Sequence, residues 1–210
     1  MTDILPCERE RGGILSRQHL NDITKEIFRK AIHMCSALVP LLLGYFYFPV
    51  IILLFLALCL YCLQEFLRRS GRPVPLFSAI TAVAARKRDE NKFVLGPVTL
   101  VLGILLSAIF YRPLAASVGI YALSFGDGMA SLAGKLFGRI KVPFTLGKTA
   151  EGSLTCFTAI FVSAFLTCNN VKISLIIAGL GMFIEVLPLK DFDNLLIPLL
   201  LGGTASLLLP

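Results

Sequence analysis

Charge is scarce in this chain: Asp, Glu, Lys and Arg make up 16% of its 210 residues and hydrophobic residues 56%, with a mean hydropathy of +0.81. So few polar groups cannot cover a soluble globule, and the composition is that of a membrane protein. A cleavable leader is not expected, since the first thirty residues mix Asp, Glu, Arg and Lys and lack an apolar core. Residues 1–30 read instead as a cytoplasmic or interfacial amphipathic segment ahead of a transmembrane bundle over residues 31–210. The six cysteines are scattered, which excludes a disulfide or metal framework, and the C-x-x-C of Cys59 and Cys62 falls in an apolar stretch where packing is its ordinary role. Internal repeats and low-complexity tracts are missing. So is any interleaving of basic and aromatic residues of the kind that binds nucleic acid.

What the chain has in abundance is long apolar runs. Ala31–Phe66 is interrupted only by His33, Gln64 and Glu65. As one helix it would be about 54 Å long, against a hydrocarbon core of roughly 30 Å. It must therefore fold back, and the cluster Tyr45, Phe46, Tyr47, Phe48 followed by Pro49 marks a turn at the membrane interface. Further runs cover Val94–Tyr111, Pro113–Ala133, Thr155–Thr167, Ile173–Leu189 and Leu195–Pro210. With the hairpin counted as two, the expected fold is an all-α, polytopic bundle of about seven spans. If the N-terminus is cytoplasmic, all of the 20 basic residues except Arg112 and Lys172 fall on the inside. That asymmetry orients the bundle.

One loop invites a nucleotide reading. "LGKTAEGS", residues 146–153, offers the Gly147, Lys148, Thr149 sequence of a phosphate-binding loop, but the position that needs a second glycine is Val142. A P-loop is thus excluded, whereas a helix N-terminus just after Lys148 still favours an anion through its free N–H groups and dipole. Acids inside an apolar bundle are costly unless they serve a ligand or partner. Asp127, about 21 Å along a span that enters at Pro113, lies toward the cytoplasmic face. Asp127, Ser131, Gly134 and Gly138 share a helical stripe, with Lys135 beside it, along which a charged ligand could approach; the same glycines would equally serve helix packing. Glu151, Glu185, Asp191 and Asp193 fall at the same depth, and Arg29, Lys30 and His33 of the first span bring cations there. Carboxylates for a metal and cations for phosphates are what a magnesium nucleotide needs.

Four segments in order then show a family resemblance: Glu26, Arg29, Lys30 and His33 in "EIFRKAIH"; Gly126, Asp127, Ala130, Gly134 and Gly138 in "GDGMASLAGKLFG"; Lys148, Glu151, Gly152 and Ser153 in "GKTAEGS"; and Glu185, Asp193, Asn194 and Pro198 in the last two spans. The chain resembles the integral-membrane CTP-dependent lipid kinases, which include dolichol, phytol and yeast-type diacylglycerol kinases and are related to phosphatidate cytidylyltransferases. The resemblance implies transfer of the γ-phosphate of CTP, with Mg²⁺, to the hydroxyl of a membrane lipid alcohol such as diacylglycerol or a polyprenol, at the cytoplasmic face of a multi-pass membrane protein. It implies catalytic roles for Asp127, His33 and Lys148. Nucleotide and phosphate contacts fall to Arg29, Lys30, Gly126, Gly128, Ser131, Gly134, Lys135, Lys148, Gly152, Ser153 and Asn194, and metal contacts to Asp127, Glu151, Glu185 and Asp193. A cytidylyltransferase is the alternative reading, although its C-terminal Pro-Lys, Gly-Arg and paired-aspartate signature is missing. A transporter is the alternative from another class, disfavoured by the lack of repeated halves and broken helices.

Overall fold

The computed structural model describes residue 24 and residues 26–71, 93–143, 145 and 147–210. The expected N-terminal segment up to residue 23 and the basic loop over residues 72–92 lie outside the described residues. Helices account for nearly everything else. They are α1 (26–35), α2 (Leu38–Tyr45), α3 (Tyr47–Arg69), α4 (Gly96–Phe110), α5 (Pro113–Tyr121), α6 (Gly128–Phe137), α7 (Ala150–Cys168), α8 (Val171–Val186) and α9 (Asp193–Leu208). A π-helical turn, Ala122–Asp127, joins α5 to α6 as one rod. Nothing in the sequence had announced it. A two-residue break at Ser36 and Ala37 separates α1 from α2 within the first rod.

Helix boundaries follow local chemistry. Pro97 and Pro113 sit in the first turns of α4 and α5, where their missing N–H costs no hydrogen bond. Thr149 caps α7 by accepting the Gly152 N–H at 3.2 Å, and Asn170 caps α8 by accepting that of Ile173 at 3.2 Å. The turn expected at the aromatic cluster is present: α2 ends at Tyr45 and α3 begins at Tyr47, with Phe46 non-helical between them.

Side-chain contacts establish how the rods run. Tyr47 Oη donates to the Ala108 carbonyl at 3.0 Å and Tyr61 Oη to the Val94 carbonyl at 3.1 Å, so α3 and α4 are antiparallel along their length. The fourth rod is the hub, packing against α2, α4, α7 and α9. Its Val118, Ile120 and Leu123 interlock with Ile160, Ile177, Ile197 and Leu201, all inaccessible to solvent. By contrast α3 buries only Val50 and Glu65 and turns Phe48, Phe55 and Phe66 outward. Among the described residues, three helices are long and apolar enough to cross a membrane: Glu26–Tyr45, Tyr47–Arg69 and Ala150–Cys168. Gly96–Phe110 and Asp193–Leu208 are apolar but shorter. Outward phenylalanines on such helices mark a membrane protein.

The crossing of α5 and α9 is set by glycine. A Cβ on Gly119 would meet the Pro198 carbonyl and come within 3.0 Å of the Gly202 nitrogen, both backbone atoms that cannot swing aside. Gly119→Ala is therefore expected to cost about 1–3 kcal/mol, read as a lowered thermal midpoint in detergent. Gly179→Ala, whose added Cβ has open space, serves as the control; it should leave the midpoint unchanged or raise it, by about 0.5–1 kcal/mol, because alanine is the better helix former.

Candidate active site

Because successive rods alternate in direction, the N-termini of α1, α7 and α9 and the C-termini of α6 and α8 come to one end of the bundle. That end is where the polar residues collect. Lys30 and Asp127, 97 residues apart in sequence, form a hydrogen-bonded ion pair in which both side chains are buried. His33, one helical turn beyond Lys30, points Nδ1 at the same Asp127 Oδ2 from 3.6 Å. That nitrogen has no hydrogen-bond partner although it is inaccessible to solvent. Asp127 ends the π-turn, and its flanking glycines are pressed by neighbours: a Cβ on Gly126 would lie 2.6 Å from Ile160 Cγ1, and one on Gly128 2.9 Å from Met34 Cγ. Their role is close approach of helices around the carboxylate.

A second network lies beside the first. The Glu26 carboxylate accepts from Arg29 on its own helix, from Ser131 Oγ at 2.8 Å and from Lys135 Nζ at 2.6 Å. It ties α1 to α6 and holds Arg29 and Lys135 at the rim. Lys148 forms the third centre: its Nζ lies 3.0 Å from Glu185 Oε1 and also donates to the Glu185 carbonyl, while Ser153 Oγ donates to Glu185 Oε2 at 3.3 Å. Lys148 and Asp193 both fall within electrostatic range of Asp127. Asn194, buried at the start of α9, reaches toward the Gly96 carbonyl at 3.4 Å and Thr99 Oγ1 at 3.5 Å.

The loop before α7 is closed on itself, with Val142 N–H donating to the Lys148 carbonyl at 2.9 Å and Ala150 N–H to the Ile140 carbonyl at 2.9 Å. Thr149 spends its hydroxyl on the helix cap, so the Gly-Lys-Thr run has no P-loop geometry. Glu151 accepts the Arg139 and Ile140 N–H groups at 3.0 and 3.2 Å, which makes it a brace for this loop. Gly134, Gly138 and Gly152 meet around Thr149 where α6 crosses α7: a Cβ on Gly134 would lie 3.0 Å from Thr149 Oγ1, and one on Gly152 would lie 2.9 Å from the Ala130 carbonyl. Helix packing therefore occupies these three glycines.

No three His, Cys, Asp or Glu side chains gather as a metal cage among the described residues. Glu151 is engaged with the loop, Glu185 with Lys148 and Asp127 with Lys30, and Asp193 lies within electrostatic range of Asp127. Two carboxylates suit a cation that completes its shell with phosphate and water, as Mg²⁺ does. The sequence reading passed over Ser36 and Ser124, whose hydroxyls lie 2.6 Å apart just below His33. It also assigned no role to Glu65, buried and held by Arg68 at 2.8 and 2.6 Å and by the Val94 N–H at 2.9 Å. A carboxylate near the end of an apolar run was the available signal for Glu65; small hydroxyls carry none.

Removing one member of a buried pair strands the other charge. Lys30→Met is expected to destabilise the protein by about 3–5 kcal/mol, while adding Asp127→Leu should recover most of that loss, because an apolar pair of similar volume is tolerated. Thermal unfolding of the single and double variants in one detergent checks both outcomes.

Comparison with known proteins bears on this site. The chain is 31% identical over 142 residues to a chloroplastic farnesol kinase from Arabidopsis thaliana, covering 60% of this chain and 46% of the relative. It is 27% identical over 156 residues to a probable chloroplastic phytol kinase from Triticum aestivum, covering 61% and 51%. It is also 33% identical over 112 residues to a phytol kinase from Synechocystis, covering 48% of each. The chain thus spans about half the length of the curated relatives it matches. No protein-family model and no solved structure matches it. The resemblance carried by its motifs agrees with these findings: the chain is a homologue of kinases named for the isoprenoid alcohols phytol and farnesol.

Proposed function

We propose that this chain is a CTP-dependent lipid kinase that transfers the γ-phosphoryl group to the hydroxyl of a long-chain isoprenoid alcohol, at the cytoplasmic end of a seven-span bundle. The observation that carries the reading is the buried Lys30–Asp127–His33 constellation at a bundle end ringed by further cations. Relatives named for phytol and farnesol support an isoprenoid acceptor over diacylglycerol.

Phosphoryl transfer asks a protein chiefly for positioning and charge neutralisation. In the proposed reaction the lipid oxygen bonds to the γ-phosphorus, the bond from that phosphorus to the β-bridging oxygen breaks, and CDP leaves. The hydroxyl proton passes to the His33–Asp127 pair, where the unpartnered Nδ1 is the open acceptor and the carboxylate stabilises the imidazolium that forms. Lys148 and Arg29, each held in place by an acid, neutralise the phosphates. Lys30 holds the Asp127 carboxylate in place. Asp127 and Asp193 are the residues that would hold Mg²⁺ on the nucleotide, where it would offset the charge developing on the β- and γ-oxygens. Glycines 134, 138 and 152 serve as the helix crossing beneath the nucleotide.

The deciding experiment supplies purified protein in detergent with magnesium, phytol, farnesol, dolichol, diacylglycerol or phosphatidate, and CTP labelled at the α or the γ phosphate. Label should enter an isoprenoid alcohol from the γ position only, with CDP released; α label appearing in phosphatidate would establish the cytidylyltransferase instead. Asp127→Asn should lower turnover by at least about 100-fold per folded molecule, measured beside its thermal midpoint because the change also leaves Lys30 without its partner. Orientation is checked separately: a thiol introduced by Arg139→Cys should react with an impermeant maleimide from the cytoplasmic side, and labelling from the opposite side would invert the proposed placement.

A further inference from the structure

Two backbone irregularities face each other just inside the Lys30–Asp127 pair. The first rod tightens at Ser36 and Ala37, whose N–H groups bond three residues back to His33 and Met34, and the fourth widens into the π-turn Ala122–Asp127. Their meeting point is a pair of hydroxyls: Ser36 Oγ and Ser124 Oγ lie 2.6 Å apart, with residue exposures of 8% and 0%. Ser36 Oγ is also 2.5 Å from the His33 carbonyl, and Ser124 Oγ is 2.8 Å from the Ile120 carbonyl. Two hydroxyls bring two protons to these three contacts, so the proton that links the serines is withheld from one of the carbonyls. A short hydrogen-bonded chain of two hydroxyls thus joins the first rod, three residues after His33, to the π-turn that ends at Asp127.

Beside this chain the geometry is unfinished. His33 Nδ1 is buried and unpartnered, and its 3.6 Å separation from Asp127 Oδ2 is too long for a hydrogen bond. A displacement of α1 against the π-turn by a fraction of an ångström decides whether the imidazole and carboxylate engage. The serine pair is a second polar link between those two segments, on the far side of His33 from the Lys30–Asp127 pair. Single π-turns in α-helices recur at functional sites because they re-aim the residues that follow.

We propose that Ser36 and Ser124 are positioning residues that set the His33–Asp127 separation for the transfer step. The inference rests on the kinase reading given above. Neither hydroxyl touches the reacting atoms, so their loss alters the rate of the chemical step and leaves nucleotide binding alone.

The test uses the purified 210-residue chain with phytol and γ-labelled CTP, alongside equilibrium CTP binding. Ser36→Ala and Ser124→Ala should each lower kcat on the order of ten-fold, because a sub-ångström misplacement of reacting groups is costly. The KM for CTP and its binding should stay within about two-fold. The double variant should be no slower than either single one, since breaking the link once already breaks it. Ser36→Thr, which keeps the hydroxyl, should restore most of the rate. Alanine variants with wild-type kcat, a double variant whose loss is the product of the two single losses, or a KM for CTP that rises in step with the rate loss would each overturn the positioning role while leaving the kinase reading standing. A wild-type protein that transfers no γ label would remove the kinase reading and this inference with it.

Discussion

An ammonium and a carboxylate taken out of water together organise the working end of this bundle. Neither Lys30 nor Asp127 could be buried alone, because an isolated charge in an apolar interior costs far more than any single packing contact returns. Paired, they oblige the first rod to lie against the fourth in one register, and that register also delivers His33 to Asp127 and Ser36 to Ser124. Glu26 repeats the device one turn nearer the rim by gripping Lys135 and Ser131 across the same interface. Ion pairs that a surface would render nearly worthless are here the terms that specify how two helices meet.

The rest of the scaffold works by close approach. A Cβ on Gly103, Gly119 or Gly152 would run into the backbone of a neighbouring helix, and one on Gly126 or Gly181 into the Ile160 side chain, so glycine sets how closely these helices cross. This is how membrane helices associate when burial of apolar side chains provides no net drive, since lipid is as apolar as leucine. Rigid crossings in turn keep five helix ends gathered in one place. Rods that alternate in direction bring helix N-termini, whose free N–H groups and dipoles favour an anion, to the polar end where Lys30, Lys135 and Lys148 also lie.

Much of this was legible along the chain. The apolar runs foretold an all-helical fold among the described residues, and the helix break expected at the aromatic cluster falls at Phe46. Asp127, Lys30 and His33 were singled out because ionisable groups are rare in such runs, and they do converge. Gly134 and Gly152, assigned to the nucleotide by resemblance, stand where two helices touch, and Glu151, assigned to a metal, accepts N–H groups of a loop. In sequence a glycine that admits a phosphate and one that admits a helix are identical. So are a carboxylate awaiting a cation and one already satisfied by backbone N–H groups.

What the sequence by itself determined is that the chain is helical and apolar and that its few buried charges stand apart from the runs around them, because these depend on composition and on the cost of placing a polar group in hydrocarbon. Which charge answers which was decided only by the tertiary structure. The pairing of residues 97 positions apart, the π-turn that aims Asp127, the hydroxyl contact between Ser36 and Ser124, and the capture of Lys148 by Glu185 all depend on how helices cross. Crossing is set by the combined shape of many small contacts, none of which has a local signature in the chain.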